Sequence, residues 1–197
     1  MKNDEDDTHY IHIQGSPYFA IENMDIKEIA LIFNLTDLKI KPCKDAFEYA
    51  FEQNYENYNK TESQTKIIIS ESINNWNFVY GNHGIFEENR LLIEKMIIND
   101  LVKAYYFYVD SCVDGYDWII AKNQQIIREF EYCMGKFSIN KGDYITEIEK
   151  AFINNLETKK EFIFGFDAYN SVIEKVLGLN TKEFDNTHNF LTGIALL

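Results

Sequence analysis

In this sequence, the residues whose types and spacing most resemble a functional site are a group of carboxylates. Asp110, Asp114 and Asp117 lie close together between two runs of apolar residues. Aspartate favours turns, so one interpretation is simply a hairpin connection. The other is a negative surface for a basic partner protein. A carboxylate pair for glycoside hydrolysis is a third use, but the sequence does not show the separation in space on which that chemistry depends.

A binding surface at this point would also include residues of the neighbouring strands. We predict that its charge comes from Asp110, Asp114, Asp117, Glu129 and Glu131, and that Tyr108 and Tyr116 anchor the partner. A few buried aromatic anchors of this kind often supply most of the binding free energy of an interface.

Histidine supplies the second set of candidates. His83 lies in a Gly-Asn-His-Gly turn, where it would be the acid or base of a small hydrolase-like enzyme that also uses carboxylates. His9 and His12 are spaced for two metal ligands, whereas a zinc site requires three or four. The sequence contains no phosphate-loop, dinucleotide-binding, serine-hydrolase or zinc-protease motif. We therefore predict no metal or other cofactor, and we favour a protein that is not an enzyme.

Arg128, Trp76 and Trp118 are predicted to have structural roles. Arg128 is the one charged residue on a strand face that it shares with Phe130 and Tyr132. If that face is buried, the guanidinium requires a carboxylate or carbonyl partner. The alternative is a contact between Arg128 and a substrate anion.

The net charge of −13 limits the classes of partner. Phosphate backbones and anionic membrane surfaces attract proteins rich in Lys and Arg, so nucleic acid and membrane are both disfavoured. A negative protein is instead steered toward a basic partner, although the charge would also suit a merely soluble acidic protein.

Cysteine usage and the N-terminus indicate the compartment. Three cysteines without a C-x-x-C pair are typical of reduced thiols inside a cell. The first ten residues are acidic and contain no apolar segment of the kind that directs export. We therefore predict a cytoplasmic protein.

Residues 102–133 are the stretch around which the chain is organised. They form three runs rich in aromatic and β-branched residues, separated by short polar breaks, which predicts three consecutive antiparallel strands. Asn123 and Gln124 mark one of the turns. Helical spacing of apolar residues predicts helices near 25–34 and 86–100, and residues 35–41 are interpreted as a linker.

These elements predict an α+β fold: an antiparallel sheet of about five strands, with helices packed mainly on one face. Residues 1–9 are predicted to be an acidic mobile tail, and residues 10–197 a single domain. The central strands carry aromatic residues on both faces, more than a one-sided core needs. Either helices cover the second face or it is an interface.

The order of these segments resembles a group of bacterial proteins. The resemblance rests on W-N-F-V-Y-G from Trp76, then a helix, then V-K-A-Y-Y-F-Y-V-D, Y-D-W-I-I-A-K-N and I-I-R-E-F-E-Y in succession. The early Y-F-A-I-E-N-M-D-I-K-E-I-A and the late N-T-K-E-F fit the same group. The chain departs from it in having Gln124 where the hairpin usually carries Gly, and in a short segment at 135–141.

Some members of that group are immunity proteins, which bind and block a toxin. The resemblance therefore implies a cytoplasmic protein that binds and neutralises a cognate toxin domain, which the charge predicts to be basic. Two alternatives stay open: the hydrolase-like enzyme, and a scaffold module that forms homo-oligomers through its aromatic sheet face. Whether the chain is a monomer or a homodimer is not decided by the sequence.

Overall fold

A computed structural model describes residues 17–51, 65–81, 89–110, 113–158, 166–179 and 188–195. The predicted tail at 1–9 lies outside these residues, as do His9, His12, His83 and Cys112.

Nine strands and five helices make up the described part of the chain. The strands are β1 (Tyr18–Glu22), β2 (Leu35–Pro42), β3 (Thr65–Ser70), β4 (Trp76–Gly81), β5 (Lys103–Asp110), β6 (Gly115–Lys122), β7 (Gln125–Cys133), β8 (Lys136–Lys141) and β9 (Asn189–Ala195). The helices are α1 (Ile26–Ile32), α2 (Cys43–Phe51), α3 (Asn89–Met96), α4 (Glu147–Thr158) and α5 (Phe166–Leu177).

All nine strands belong to one sheet, in the order β2-β9-β3-β4-β1-β5-β6-β7-β8. Every pairing is antiparallel, which confirms the predicted α+β class. The predicted size of about five strands was wrong, because the sheet is nearly twice as wide. The edge strands β2 and β8 are mostly exposed, so they carry fewer apolar residues than the central strands and are hard to recognise by pattern.

Helices cover both faces of the sheet. One core cluster joins the sheet to α2, α4 and α5, and we call this face A. The other joins it to α1 and α3, and we call this face B. The prediction of helices mainly on one face therefore needs correction. The aromatic residues on both faces of β5 are explained by two cores: Phe107 packs into face A and Tyr106 into face B.

The segment predicted to be a linker, 35–41, is instead most of β2, an edge strand. It pairs with β9, which lies more than a hundred residues away in sequence, from Leu35 opposite Ala195 to Pro42 opposite Asn189. Most of β2 is exposed, so its sequence lacks the apolar alternation that would have revealed a strand.

Local sequence signals placed several elements well. Asp25 is the N-cap of α1, and its side chain accepts a hydrogen bond from the Lys27 amide at 2.8 Å. Asn123 and Gln124 connect β6 to β7, both with positive φ (52° and 60°), as a two-residue hairpin turn requires.

Candidate functional site

The predicted charged surface lies on face B, where β5, β6 and β7 run side by side. Tyr108 of β5 is directly opposite Asp117 of β6, and Asp117 is directly opposite Glu131 of β7. All three side chains are half-buried. Antiparallel pairing therefore brings a tyrosine and two carboxylates, distant in sequence, into one row across three strands.

Asp117 and Glu131 are like charges in directly opposed positions. Such a pair is destabilising when both carboxylates are ionised. Burial, followed by the charges of Glu131 and Glu129, raises the pKa of Asp117 to about 7. The one hydrogen bond to the Asp117 side chain from the described residues comes from the Asn89 amide, 3.5 Å from Oδ2. Within the described chain, neither Asp117 nor Glu131 has a cationic partner.

Glu129, the third predicted carboxylate on this face, is neutralised by Arg90. The guanidinium Nη1 of Arg90 contacts Glu129 Oε1, and its Nε donates to Glu94 Oε1 at 3.1 Å. Arg90 stands in the first turn of α3, one residue after Asn89. The start of α3 therefore supplies one cation to this surface and one amide to Asp117.

Tyr108 and Asp110 continue the row toward the end of β5. The Tyr108 hydroxyl donates to Asp110 Oδ2 at 3.3 Å. Burial and the neighbouring Asp110 raise the pKa of Tyr108, so its hydroxyl stays protonated at neutral pH. Five of the seven residues predicted for partner binding thus share one surface, the acidic face: Tyr108, Asp110, Asp117, Glu129 and Glu131.

The other two predicted residues, Asp114 and Tyr116, lie elsewhere. Tyr116 is in the core of face A, 5% exposed, with its ring centroid 5.1 Å from that of Phe152. Asp114 sits in the turn before β6 and accepts a hydrogen bond from the Tyr116 hydroxyl at 3.5 Å. The alternation of side chains along β6 separates Tyr116 from Asp117. The structure therefore does not bring Asp114 and Tyr116 to the acidic face.

Arg128 is completely buried, and its charge is met by Glu149 of α4. Arg128 Nε donates to Glu149 Oε1 at 2.6 Å, and Nη1 donates to the Lys141 carbonyl oxygen at 2.8 Å. The indole of Trp118 donates to the same Glu149 Oε1 at 3.1 Å, and its ring stacks on Phe130 with centroids 4.1 Å apart. Solvent does not reach this group, so a substrate anion has no route to Arg128 in this conformation.

Trp76, the other predicted structural tryptophan, is 4% exposed. Its ring centroid lies 5.0 Å from that of Tyr105 on β5, within the core of face A.

Two residues of these networks were not identified from the sequence. Glu149 occupies the apolar stripe of α4, and an acid in such a stripe is a signal that a buried cation needs a partner. Arg90 carried no such signal, because an exposed arginine at the start of a helix is ordinary and its contact with β7 depends on where α3 lies.

The described residues contain no group of three or more His, Cys, Asp or Glu side chains arranged to hold a metal ion. Nor is any helix in the described ranges both long and apolar enough to cross a membrane. The acidic face offers a row of carboxylates, one of which has a raised pKa, and one tyrosine hydroxyl.

No family model, curated protein or solved structure matches this chain. The resemblance to immunity proteins accordingly stays a prediction.

Proposed function

We propose that this chain is a cytoplasmic binding protein of the immunity type, which neutralises a basic toxin domain by covering it with the acidic face. The observation that carries the proposal is the pair formed by Asp117 and Glu131. Two carboxylates directly opposite one another, without a cation within the described chain, destabilise the free protein. A Lys or Arg side chain from a partner would relieve that repulsion on binding.

The charges around this pair also suit rapid association. The chain carries a net charge of −13, which steers a basic partner toward it and raises the association rate at low salt. Tyr108 lies beside Asp117 in the same row and would be the aromatic anchor. In this proposal the charges supply orientation and speed, and the tyrosine supplies buried contact area.

The direct test purifies the product of each gene adjacent to this one and measures whether it binds this chain. The purified partner should bind this chain and lose its toxicity, and the association rate should fall steeply between about 50 and 300 mM salt. Asp117→Asn combined with Glu131→Gln should weaken binding about a hundredfold if two charged contacts are lost. Glu147→Gln combined with Glu157→Gln is the matched control, because both residues are exposed carboxylates on α4.

An association rate independent of salt would contradict steering by the acidic face. Equal binding by the double variant and the control would show that the interface lies elsewhere on the molecule. A partner that retains its toxicity in the complex would remove the immunity function itself.

The second candidate is a carboxylate enzyme, and the raised pKa of Asp117 favours it. A carboxyl group with a pKa of about 7 is suited to general acid or base catalysis near neutrality. A hydrolytic activity lost in Asp117→Asn but kept in Glu147→Gln would support this candidate, with chromogenic glycosides and esters as substrates. If the parent protein and Asp117→Asn both show only background turnover, Asp117 is not a catalyst for those substrates.

A further inference from the structure

A cavity opens where β1 passes into α1, beside the connection between β3 and β4. Its volume is about 410 Å³. Small-molecule sites in proteins are typically about 300–1,000 Å³, so the cavity can take a small ligand or one long side chain. The cavity lies near Leu101, just before the start of β5. Tyr108 and Asp110 of the acidic face lie near the other end of that strand, so the two sites are separate.

Asn77 is the buried polar side chain of this cavity. It is 5% exposed, and its Nδ2 donates to the Ser70 carbonyl oxygen at 2.9 Å. Asn77 lines the cavity, and its Oδ1 receives no hydrogen bond from the described residues. An amide oxygen at the wall of an open cavity, with no donor from the described residues, can accept a hydrogen bond from a ligand.

The rim of the cavity adds further acceptors. Asn23 donates its Nδ2 to the Leu101 carbonyl oxygen at 3.1 Å, which leaves its Oδ1 for a ligand. Asp25 uses Oδ1 to cap α1, and its Oδ2 accepts no hydrogen bond from the described residues. Glu71 adds a second carboxylate, whose oxygens accept from the backbone and side chain of Asn189. The Asn23 and Asn77 amides can therefore present oxygen to a ligand, and the two charged lining residues, Asp25 and Glu71, are both negative.

The rest of the lining restricts the ligand further. None of the described lining residues is Lys, Arg or His, so nothing in the wall neutralises the two carboxylates. Met24 and Ile26 supply an apolar side. The described residues provide no three-ligand cluster for a metal ion, so an organic cation fits the wall better than a metal ion does.

We propose that this cavity binds a guanidinium or primary ammonium group carried on an aliphatic stem. The nitrogen donors would bond to Asn77 Oδ1, Asn23 Oδ1 and the Asp25 carboxylate, and the stem would lie along Met24 and Ile26. Guanidinium has five N–H donors and no acceptor, which matches a wall of oxygen atoms. The bound cationic group belongs either to a free small amine or to the side chain of an arginine or lysine in a protein.

Calorimetric titration of the full chain distinguishes these sources. Agmatine represents the free amine, and N-acetyl-arginine methylamide represents the peptide-borne side chain. We expect agmatine to bind with a 1:1 stoichiometry, and the blocked arginine to bind as well if the site accepts a protein side chain. The corresponding citrulline derivative is neutral and of almost the same shape, so it should not bind.

Two variants test the assignment to this cavity. Asp25→Asn removes the charge but keeps an N-cap that is as good as aspartate, so α1 should fold normally. It should weaken agmatine binding about tenfold, as expected for the loss of one charge-assisted hydrogen bond. Glu147→Gln removes an equal charge on the far side of the sheet and should leave binding unchanged.

The proposal would be overturned if neither cation bound, or if citrulline bound as tightly as arginine. Equal weakening by Asp25→Asn and Glu147→Gln would also overturn it, because the effect would then be one of overall charge. These outcomes are independent of the toxin experiment, because Asp25 and Asn77 are not part of the acidic face.

Discussion

Arg128 of β7 and Glu149 of α4 form an ion pair in which both side chains are fully buried. The Arg128 Nε and Glu149 Oε1 atoms are 2.6 Å apart. Glu149 also accepts hydrogen bonds from the Trp118 indole and, through Oε2, from the Ile145 amide. One carboxylate thus joins the start of α4 to the two strands of the central hairpin. The pair fixes where α4 lies on face A.

Breaking this pair should be strongly destabilising. Arg128→Met leaves Glu149 buried without its cation, and we expect a loss of about 3–5 kcal/mol in the free energy of unfolding. Glu149→Leu should cost a similar amount. The double variant should be more stable than the sum of the two losses predicts, because neither charge then remains unpaired. Urea unfolding measures all three, and strictly additive losses would show that the two residues are not coupled.

The raised pKa of Asp117 should make the protein less stable as the pH rises. The folded pKa of about 7 exceeds the ordinary value of 3.8, so between these pH values the folded state binds more protons than the unfolded state. The contribution of Asp117 to the free energy of unfolding is therefore largest below about pH 4. It decreases as the pH rises toward 7, by about 1.4 kcal/mol for each unit of difference between the two pKa values.

The matching substitution is Asp117→Asn. It removes the ionisable group, so the melting temperature of the variant should exceed that of the parent at pH 8 and approach it at pH 5. The difference between the two melting curves isolates Asp117 from the other carboxylates. If the parent gained stability relative to the variant between pH 5 and pH 8, Asp117 would have a lowered pKa and the argument would be wrong.

Arg90 is expected to restrain binding to a basic partner. It places a cation against Glu129 on the acidic face, so Arg90→Gln should make this surface more negative. If the proposed basic partner binds the acidic face, its association with Arg90→Gln should be faster at low salt. Stability should change little, because Arg90 is half-exposed. Lys150→Gln on α4 is the control for net charge, and stopped-flow binding is the measurement. Slower association of Arg90→Gln would indicate that Arg90 itself contacts the partner.

Gly142 should tolerate no side chain. Its φ is +83°, and a Cβ built there would lie 2.0 Å from the Ile127 carbonyl oxygen. Gly142→Ala should therefore cost more than about 2 kcal/mol, the sum of a left-handed backbone and a clash with main chain. Gly135→Ala separates the cost of the left-handed backbone from the cost of the clash, because Gly135 has a similar φ of +81° but open space around it. Equal losses in the two variants would show that the clash relaxes freely.

The two edges of the sheet favour a monomer. Each edge strand contains a register shift, in β2 between Thr36 and Lys39 and in the β7–β8 ladder at Glu131 and Tyr132. β2 also carries two lysines and ends in proline, and β8 begins and ends with lysine. Bulges, lysines and prolines are the features by which natural sheets resist strand addition.

Light scattering coupled to size exclusion should accordingly give the mass of one chain, 23.2 kDa. Ile40, 76% exposed on β2, provides the check. A dimer that Ile40→Lys dissociates would show that β2 pairs with a second copy despite its lysines, and would favour the homo-oligomeric alternative.

The sequence by itself determined the central hairpins and the α1 cap, because these depend on neighbours in the chain. Alternation of side chains along β7 places Glu129 and Glu131 on the face opposite to Arg128. The strand content of 102–133 and the Asp25 cap follow from the same local preferences.

Tertiary structure alone decided the width of the sheet and the partners of its charges. β2 has no strand pattern of its own and becomes a strand because β9, from the other end of the chain, pairs with it. Glu149 and Arg90 meet their partners only because α4 and α3 lie on opposite faces of the sheet. Local periodicity encodes which residues share a face, whereas contacts between distant segments depend on how the whole core packs.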